Sequence, residues 1–412
     1  MTYTGVAPSW AEGQVPARGW GFVRAFVQLG RPKFLLQSSA SVGLGMTLAA
    51  YDGHALQPAW YAWLLLWAWC THLGVHYCNE YFDLAADRLN TDHTEWTGGS
   101  RVLVRGLVRP ETSLATAFVL LFTGALMASV VPNTAARLAM LVLMALAWFY
   151  TAPPFRLNYH ALGEVTTAAT LYGLCPVICY MVQADTVSVT MAAVVGPISA
   201  FQVLRQSLMN LSDLEGDRRA GKHTMALILG PRNTIRAYCF GQVAVYTCVV
   251  LLGVWEVLPP TVAVAVLLSC VIPAWVARQL LSDAMADPPR ANQVTFLASM
   301  QMPAAVMAAM SGLVIDANIH DRELGAGTWV YALTLLIALA WAAGLAARTS
   351  PCAPAPRPVA RTRSAGSNSR SHAPEQPSGS SSGSPHPAGV LPGRMRSSRS
   401  EGVAAVVPSL QC

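Results

Sequence analysis

Charge is scarce in this sequence. Of its 412 residues only 12% are Asp, Glu, Lys or Arg, against 53% hydrophobic, and the mean hydropathy is +0.40. That balance excludes a soluble globular protein of ordinary composition and points to a polytopic membrane protein. The first thirty residues lack the charged, apolar, small-residue order of a cleavable signal, so insertion is expected to begin with the first spanning helix. A paired extracellular cysteine pattern is missing too. Cys70, Cys78, Cys175, Cys179, Cys239, Cys248 and Cys270 sit in or beside apolar segments and read as small hydrophobes. Cys175 and Cys179 have helical i, i+4 spacing that could reach one metal, but no third soft ligand is nearby. The closing Gln411-Cys412 is not a prenylation box. After Arg348 apolar periodicity gives way to Ser, Pro, Gly and Arg, so residues 349–412 are expected to be a disordered cytoplasmic tail. No nucleic-acid partner is expected, and nothing identifies a protein partner.

What is present is a series of apolar runs near twenty residues long. Ten candidates stand at about 34–51, 59–79, 112–131, 135–152, 163–183, 188–210, 236–255, 258–277, 295–315 and 329–347. Basic residues alternate with them. Arg18, Arg24, Arg31 and Lys33 precede the first run, and Arg88, Arg101, Arg105 and Arg109 fill the second loop. Arg156 is in the fourth, Arg218, Arg219, Lys222, Arg232 and Arg236 are in the sixth, and Arg278 and Arg290 are in the eighth. The loops between are nearly free of Lys and Arg, with Arg137 and Arg322 the exceptions. The N-terminus and the even-numbered loops are therefore expected in the cytoplasm. Residues 1–33 are read as a cytoplasmic N-terminal segment, 34–315 as the main transmembrane domain and 316–348 as an additional helix with its preceding loop.

Two acidic stretches break the apolar pattern. In HLGVHYCNEYFDLAAD, His72, His76, Asn79, Asp83 and Asp87 fall within roughly 80° of one another at one hundred degrees per residue. They form one polar stripe emerging from the apolar run Ala59 to Cys70, and a carboxylate in hydrocarbon is costly enough to be read as functional. If the sixth helix continues to its acidic end, Gln206, Asn210, Asp213 and Asp217 share an arc of about 60° in the same way. A single carboxylate at a helix end is explained as well by capping or by pairing with loop arginines. Two such stripes at one face are another matter: carboxylate and amide oxygens from two helices are hard ligands that suit Mg²⁺ better than zinc or copper. Magnesium typically joins a few carboxylates to substrate phosphates, and the cations Arg88, Arg101, Arg218, Arg219 and Lys222 would neutralise the remainder. A diphosphate held in a membrane-embedded site with apolar walls implies a lipid-tailed one, and isoprenyl diphosphates fit.

The spacing NxxxDxxxD at Asn79, Asp83 and Asp87, with DxxxD at Asp213 and Asp217, resembles the two motifs of the UbiA-type intramembrane prenyltransferases. The resemblance continues in TGGSRVLVRG, in YTAPPFRLNYHALGE and in DLEGDRRAGKHTMALILG, and covers roughly Arg31 to Val314. The segments from Thr97 and Tyr150 look most like the branch that prenylates 1,4-dihydroxy-2-naphthoate in menaquinone biosynthesis. The resemblance implies an all-α transmembrane bundle around a central cavity, nine family helices here followed by a tenth, with the acidic motifs at the cytoplasmic end. It implies that Asn79, Asp83, Asp213 and Asp217 ligate two Mg²⁺, with Asp87 a further ligand or supporting group, and that Arg88, Arg101, Arg218 and Lys222 hold the diphosphate. Tyr150 and Arg156 fall where the family sets a tyrosine and a basic residue against substrate, Arg standing for a commoner lysine. His72, His76, Gln206 and Asn210, deeper on the stripes, are assigned to the acceptor side, although histidines bonded to a neighbouring helix explain the first two equally simply.

The activity implied is transfer of a prenyl group from an isoprenyl diphosphate to an aromatic acceptor such as 1,4-dihydroxy-2-naphthoate. Homogentisate, 4-hydroxybenzoate or a specialised aromatic are alternative acceptors, and cyclisation of the prenyl chain is a further route. A transporter is the rival from another class, but transport sites usually lie near the midplane at broken helices rather than at cytoplasmic helix ends. Arg105 and Arg109 read as positive-inside anchors, Trp67, Trp69 and Trp148 as packing or interfacial residues, and Glu215 as a loop charge.

Overall fold

Proline opens five of the long helices, at Pro58, Pro110, Pro231, Pro260 and Pro288. It costs nothing there, because the first turn has no use for its missing N–H and its φ is already helical. The structure, a computed structural model, describes residues 16–184 and 186–349, and the expected tail at 349–412 lies outside these but for Thr349. In chain order the helices are α1 Trp20–Leu29, α2 Leu35–Tyr51, α3 Pro58–Phe82, α4 Leu84–Leu89, α5 Pro110–Ser129, α6 Thr134–Trp148, α7 Gly163–Ala168 and α8 Cys175–Met181. There follow α9 Val189–Met209, α10 Leu214–Arg219, α11 Met225–Leu229, α12 Pro231–Val254, α13 Pro260–Leu268, α14 Val271–Leu280, α15 Pro288–Ile319 and α16 Ala326–Thr349. Among the described residues extended pairing is confined to one isolated bridge, His160 with His223.

Each of the ten expected runs is helical, with two interruptions. The run at 163–183 divides into α7, a π-turn over Ala169–Leu174, and α8. Thr166, Thr167 and Thr170 donate their hydroxyls back to carbonyls three or four residues earlier, which loosens the ladder locally. The run at 258–277 is broken at Ser269 between α13 and α14. The N-terminal segment, read as cytoplasmic, contains α1, which buries Ala25 and Leu29 and leaves Trp20, Val23 and Val27 exposed.

Five segments are individually long and apolar enough to cross a bilayer: Pro110–Ser129, Pro231–Val254, Pro260–Leu280, Pro288–Ile319 and Ala326–Leu345. Four of them bury no more than 33% of their apolar window inside the protein. Faces bearing Phe118, Phe122 and Leu126 on α5, or Phe240, Val243 and Val254 on α12, are exposed hydrocarbon that only lipid would cover. The exception, α15, is 61% buried and forms the central post, with Met302, Val306, Ala309 and Leu313 packed into the core. The protein is an all-α, multi-pass integral membrane protein.

At one end of the bundle the two acidic stretches depart from the straight-helix expectation. α3 stops at Phe82, and Asp83, at φ −93° and ψ 1°, is the joint to α4. α9 stops at Met209, passes through a 3₁₀ turn over Asn210–Ser212, and bends at Asp213, φ −107° and ψ 0°, into α10. Continuous helices would have carried the last carboxylates away from the bundle. The bends instead lay α4 against α10. Gly216 permits that approach, since a Cβ there would stand 2.8 Å from Cβ of Asn90.

Candidate active site

The bend residues face one cavity of about 250 Å³. Asn79, Asp83, Asp87, Asp213, Asp217 and Lys222 line it, as do Tyr150, His72, His76, Gln206 and Asn210. Lys222 closes the gap between the two motifs: its Nζ stands 3.4 Å from Asp83 Oδ1 and 3.1 Å from Asp217 Oδ1. The turn that brings it there is fixed by backbone bonding from Lys222 N to the Asp217 carbonyl, and His223 N to the Tyr159 carbonyl ties this loop to the one after α6. Asp83 also accepts from Tyr159 Oη at 3.2 Å and Asn158 Nδ2 at 3.3 Å. Asp213 accepts from Asn90 Nδ2 at 2.7 Å, and Asn79 Oδ1 accepts from the Thr151 hydroxyl.

Burial leaves this cluster short of positive charge. Five acids line the cavity, Asp83, Asp87, Glu164, Asp213 and Asp217, against three bases, Arg31, Arg205 and Lys222. Burial, together with the Asp217 charge, pushes the Asp213 carboxyl up to about 7. Burial first and then Glu80 raise Asp87, and burial raises Asp217 although Lys222 pulls the other way. For Lys222 burial opposes the charge, but Asp83 and Asp217 outweigh it and hold the ammonium well above the usual lysine range. A set of carboxylate and amide oxygens that repel one another in a buried cleft fits a hard divalent cation. Among the described residues, no three His, Cys, Asp or Glu side chains are grouped so as to hold a metal by themselves.

Five of the expected cationic contacts are not on the cavity wall. Arg218 and Arg219 are exposed and face Glu215, at 3.5 and 2.8 Å, so Glu215 is a surface charge. Arg88 is exposed on α4. Arg101 donates to the Asp87 carbonyl and so supports the wall from behind. Arg156 lies with its guanidinium 3.8 Å from the Tyr159 ring centre and reaches the site through that ring. Both histidines line the cavity and are also hydrogen-bonded outside it: His76 donates Nδ1–H to the Gly30 carbonyl at 2.7 Å, and His72 Nδ1 is 3.1 Å from the Ser38 hydroxyl on α2.

Other residues enter that the motif spacing does not reveal. Arg31 pairs with Glu80 through Nε at 2.8 Å, and Glu80 also accepts from Ser100 N at 2.6 Å and Ser100 Oγ at 2.7 Å. This buried carboxylate pins the Gly98–Gly99 turn onto the cavity. Gly99 has φ +78°, and a Cβ there would collide with the Asp87 carboxylate. Glu164 Oε1 accepts from Asn210 Nδ2 at 2.8 Å and from Met225 N at 3.0 Å, joining α7, α9 and α11. Glu80→Gln should lower stability by about 3–5 kcal/mol, because a buried pair is broken and Arg31 is left without its carboxylate. The check is the melting temperature of detergent-solubilised protein; a shift indistinguishable from zero would mean that the Arg31 pair carries no stability.

A polytopic helical bundle with two bent acidic helix ends sharing one acid-rich cleft around a buried lysine fits an intramembrane enzyme that handles a metal-bound anion. Residues 38–300 match the UbiA prenyltransferase family, and the chain belongs to that family. It is a membrane prenyltransferase. It is similar to 1,4-dihydroxy-2-naphthoate octaprenyltransferase of Bacillus subtilis, 24% identical over 242 residues that cover 58% of this chain and 76% of the relative. It is also similar to digeranylgeranylglyceryl phosphate synthase of Halobacterium salinarum, 26% identical over 216 residues, covering 52% and 71% respectively. The apo structure of a UbiA homologue from Aeropyrum pernix K1 shares the fold, with a TM-score of 0.52 at 16% identity, over 69% of this chain and 98% of that one.

Proposed function

We propose that this protein transfers the prenyl group of an isoprenyl diphosphate to a hydroxylated aromatic acid of the 1,4-dihydroxy-2-naphthoate type, with Mg²⁺ as cofactor and the site facing the cytoplasm. The observation that carries the reading is the convergence of Asp83 and Asp217, from two different bent helix ends, on one buried lysine. Mg²⁺, when bound, supplies Lewis-acid neutralisation of the leaving diphosphate. Asn79, Asp83, Asp87, Asp213 and Asp217 would hold it, each ion taking one or two carboxylates and completing its shell with water and phosphate oxygens. Lys222 and Arg31, the cations on the same wall, bind the diphosphate in place of the exposed arginines first considered. The C1–O bond of the donor breaks with its electron pair leaving on diphosphate. The electron-rich ring then forms the new C–C bond and sheds a proton or, at a carboxylated carbon, CO₂.

Tyr150 is on the wall of this cavity with the acidic residues. Trp67, Leu143, Ala147 and Leu171 make the deeper wall apolar, which excludes water that would otherwise quench the allylic cation. The cytoplasmic placement rests on the basic loops on the side of the acidic motifs. Membranes carrying the protein, given Mg²⁺, prenyl diphosphates of several lengths and a panel of hydroxylated aromatic acids, should yield a prenylated aromatic detected by mass. Transfer to a glyceryl phosphate lipid and to no aromatic would replace the proposed acceptor with that of the Halobacterium relative. Release of a cyclic hydrocarbon with no acceptor consumed would replace transfer by cyclisation.

A further inference from the structure

Arg205 is 4% exposed on α9 and is one of the residues lining the cavity. It lies four residues before α9 ends at Met209, about one helical turn inside the last residue ahead of the bend to Asp213. One terminal nitrogen donates to Ser299 Oγ on α15 at 2.9 Å, while Nε has no hydrogen-bond partner. Among the described residues no carboxylate pairs with it, in contrast to Arg31 and Lys222. Gln202, 1% exposed and one turn earlier on the same helix face, also lines the cavity, and its Oε1 likewise lacks a partner. A buried guanidinium without an anion and a buried carbonyl without a donor are both costly, and they sit side by side.

Resting on the acceptor reading above, we propose that Arg205 and Gln202 are the acceptor-selecting residues: the guanidinium takes the carboxylate of an aromatic hydroxy acid, and the Gln202 carbonyl accepts from its ring hydroxyl. The chemistry of the pair is complementary to that one arrangement. A planar fork of N–H donors matches a carboxylate in two bonds, and a carbonyl oxygen matches a hydroxyl hydrogen. The diphosphate has its own cations, Lys222 and Arg31, which are engaged with carboxylates at the bent helix ends, so the arginine of α9 is left for the second substrate. A ring anchored there by its acid lies beneath the diphosphate layer, where the donor carbon is released.

The test compares the KM for 1,4-dihydroxy-2-naphthoate with the inhibition constant of its carboxamide, which has no CO₂ to lose, for the full-length protein in membranes. Wild type should bind the acid more tightly than the carboxamide, on the order of 30-fold. Arg205→Gln should bring that ratio near one, mainly by raising the KM for the acid, with the KM for prenyl diphosphate unchanged. Arg205→Lys, which keeps the charge and loses the fork, should retain part of the preference, and it decides the matter if the glutamine variant does not accumulate. A wild-type preference that survives in both variants overturns the role of Arg205 while leaving the aromatic acceptor in place. Failure of wild type to use any aromatic acid, or a preference for a phosphate-bearing acceptor, overturns the acceptor reading itself and this inference with it.

Discussion

Asp83→Ala and Asp213→Ala should each lower turnover by at least about 10³-fold, equivalent to about 4 kcal/mol of lost transition-state stabilisation. The two positions are structurally equivalent: each is the bend residue between a long helix and a short one, and each turns its carboxylate into the same cavity. They differ in what else they do. Asp83 anchors Lys222, Tyr159 and Asn158, so its loss also frees three neighbours. Asp213 accepts from Asn90 and, among the described residues, forms no ion pair, so its replacement isolates the loss of a proposed ligand oxygen more cleanly. Product formation from a fixed amount of membrane-inserted protein is the measurement. Turnover within tenfold of wild type in Asp213→Ala would remove this carboxylate from the proposed diphosphate site and leave the family fold intact.

Much of this architecture is legible in the chain because two periodicities are strong. Each of the ten apolar runs near twenty residues falls on helix, and i, i+4 spacing collects Asn79 with Asp83 and Asp213 with Asp217. What spacing misreads is the helix ends. Extending each helix straight through its acidic stretch treats Asp83 and Asp213 as mid-helix residues, whereas both adopt bend dihedrals that turn the following turn inward. Charge partners are harder still. Arg31 and Glu80 are 49 residues apart, and Asn210 and Glu164 are 46 apart, so neither pairing leaves a local signal. Proximity in sequence pointed instead to Arg88 and Arg218, which lie on the outer faces of α4 and α10. One available clue was a lone Arg inside an apolar helix: Arg205 stands in the run 188–210, where intramembrane charge signals function as it did for the aspartates. Seven cysteines are free among the described residues, including the Cys175 and Cys179 pair, in keeping with their reading as small hydrophobes.

Lys222→Met should cost about 10²- to 10³-fold in kcat/KM, more than removal of any single exposed arginine of the same loop. The reason lies in what the ammonium joins. It stands 9% exposed between carboxylates from α4's joint and from α10, so it neutralises two acids and holds two loops together at once. Methionine fills much of the volume and leaves Asp83 facing Asp217 with no cation between them. Burial then favours a proton on Asp217, which removes a ligand oxygen as effectively as mutation does. Because the proposed Mg²⁺ would neutralise the same carboxylates as Lys222, excess Mg²⁺ should recover part of the loss in Lys222→Met and none in Asp213→Ala. Arg218→Met, whose parent side chain is 67% exposed against Glu215, should stay within about threefold of wild type. Equal losses in the lysine and arginine variants would mean that the loop acts through its overall charge, and that the particular position of Lys222 between the two acids is without consequence for transfer.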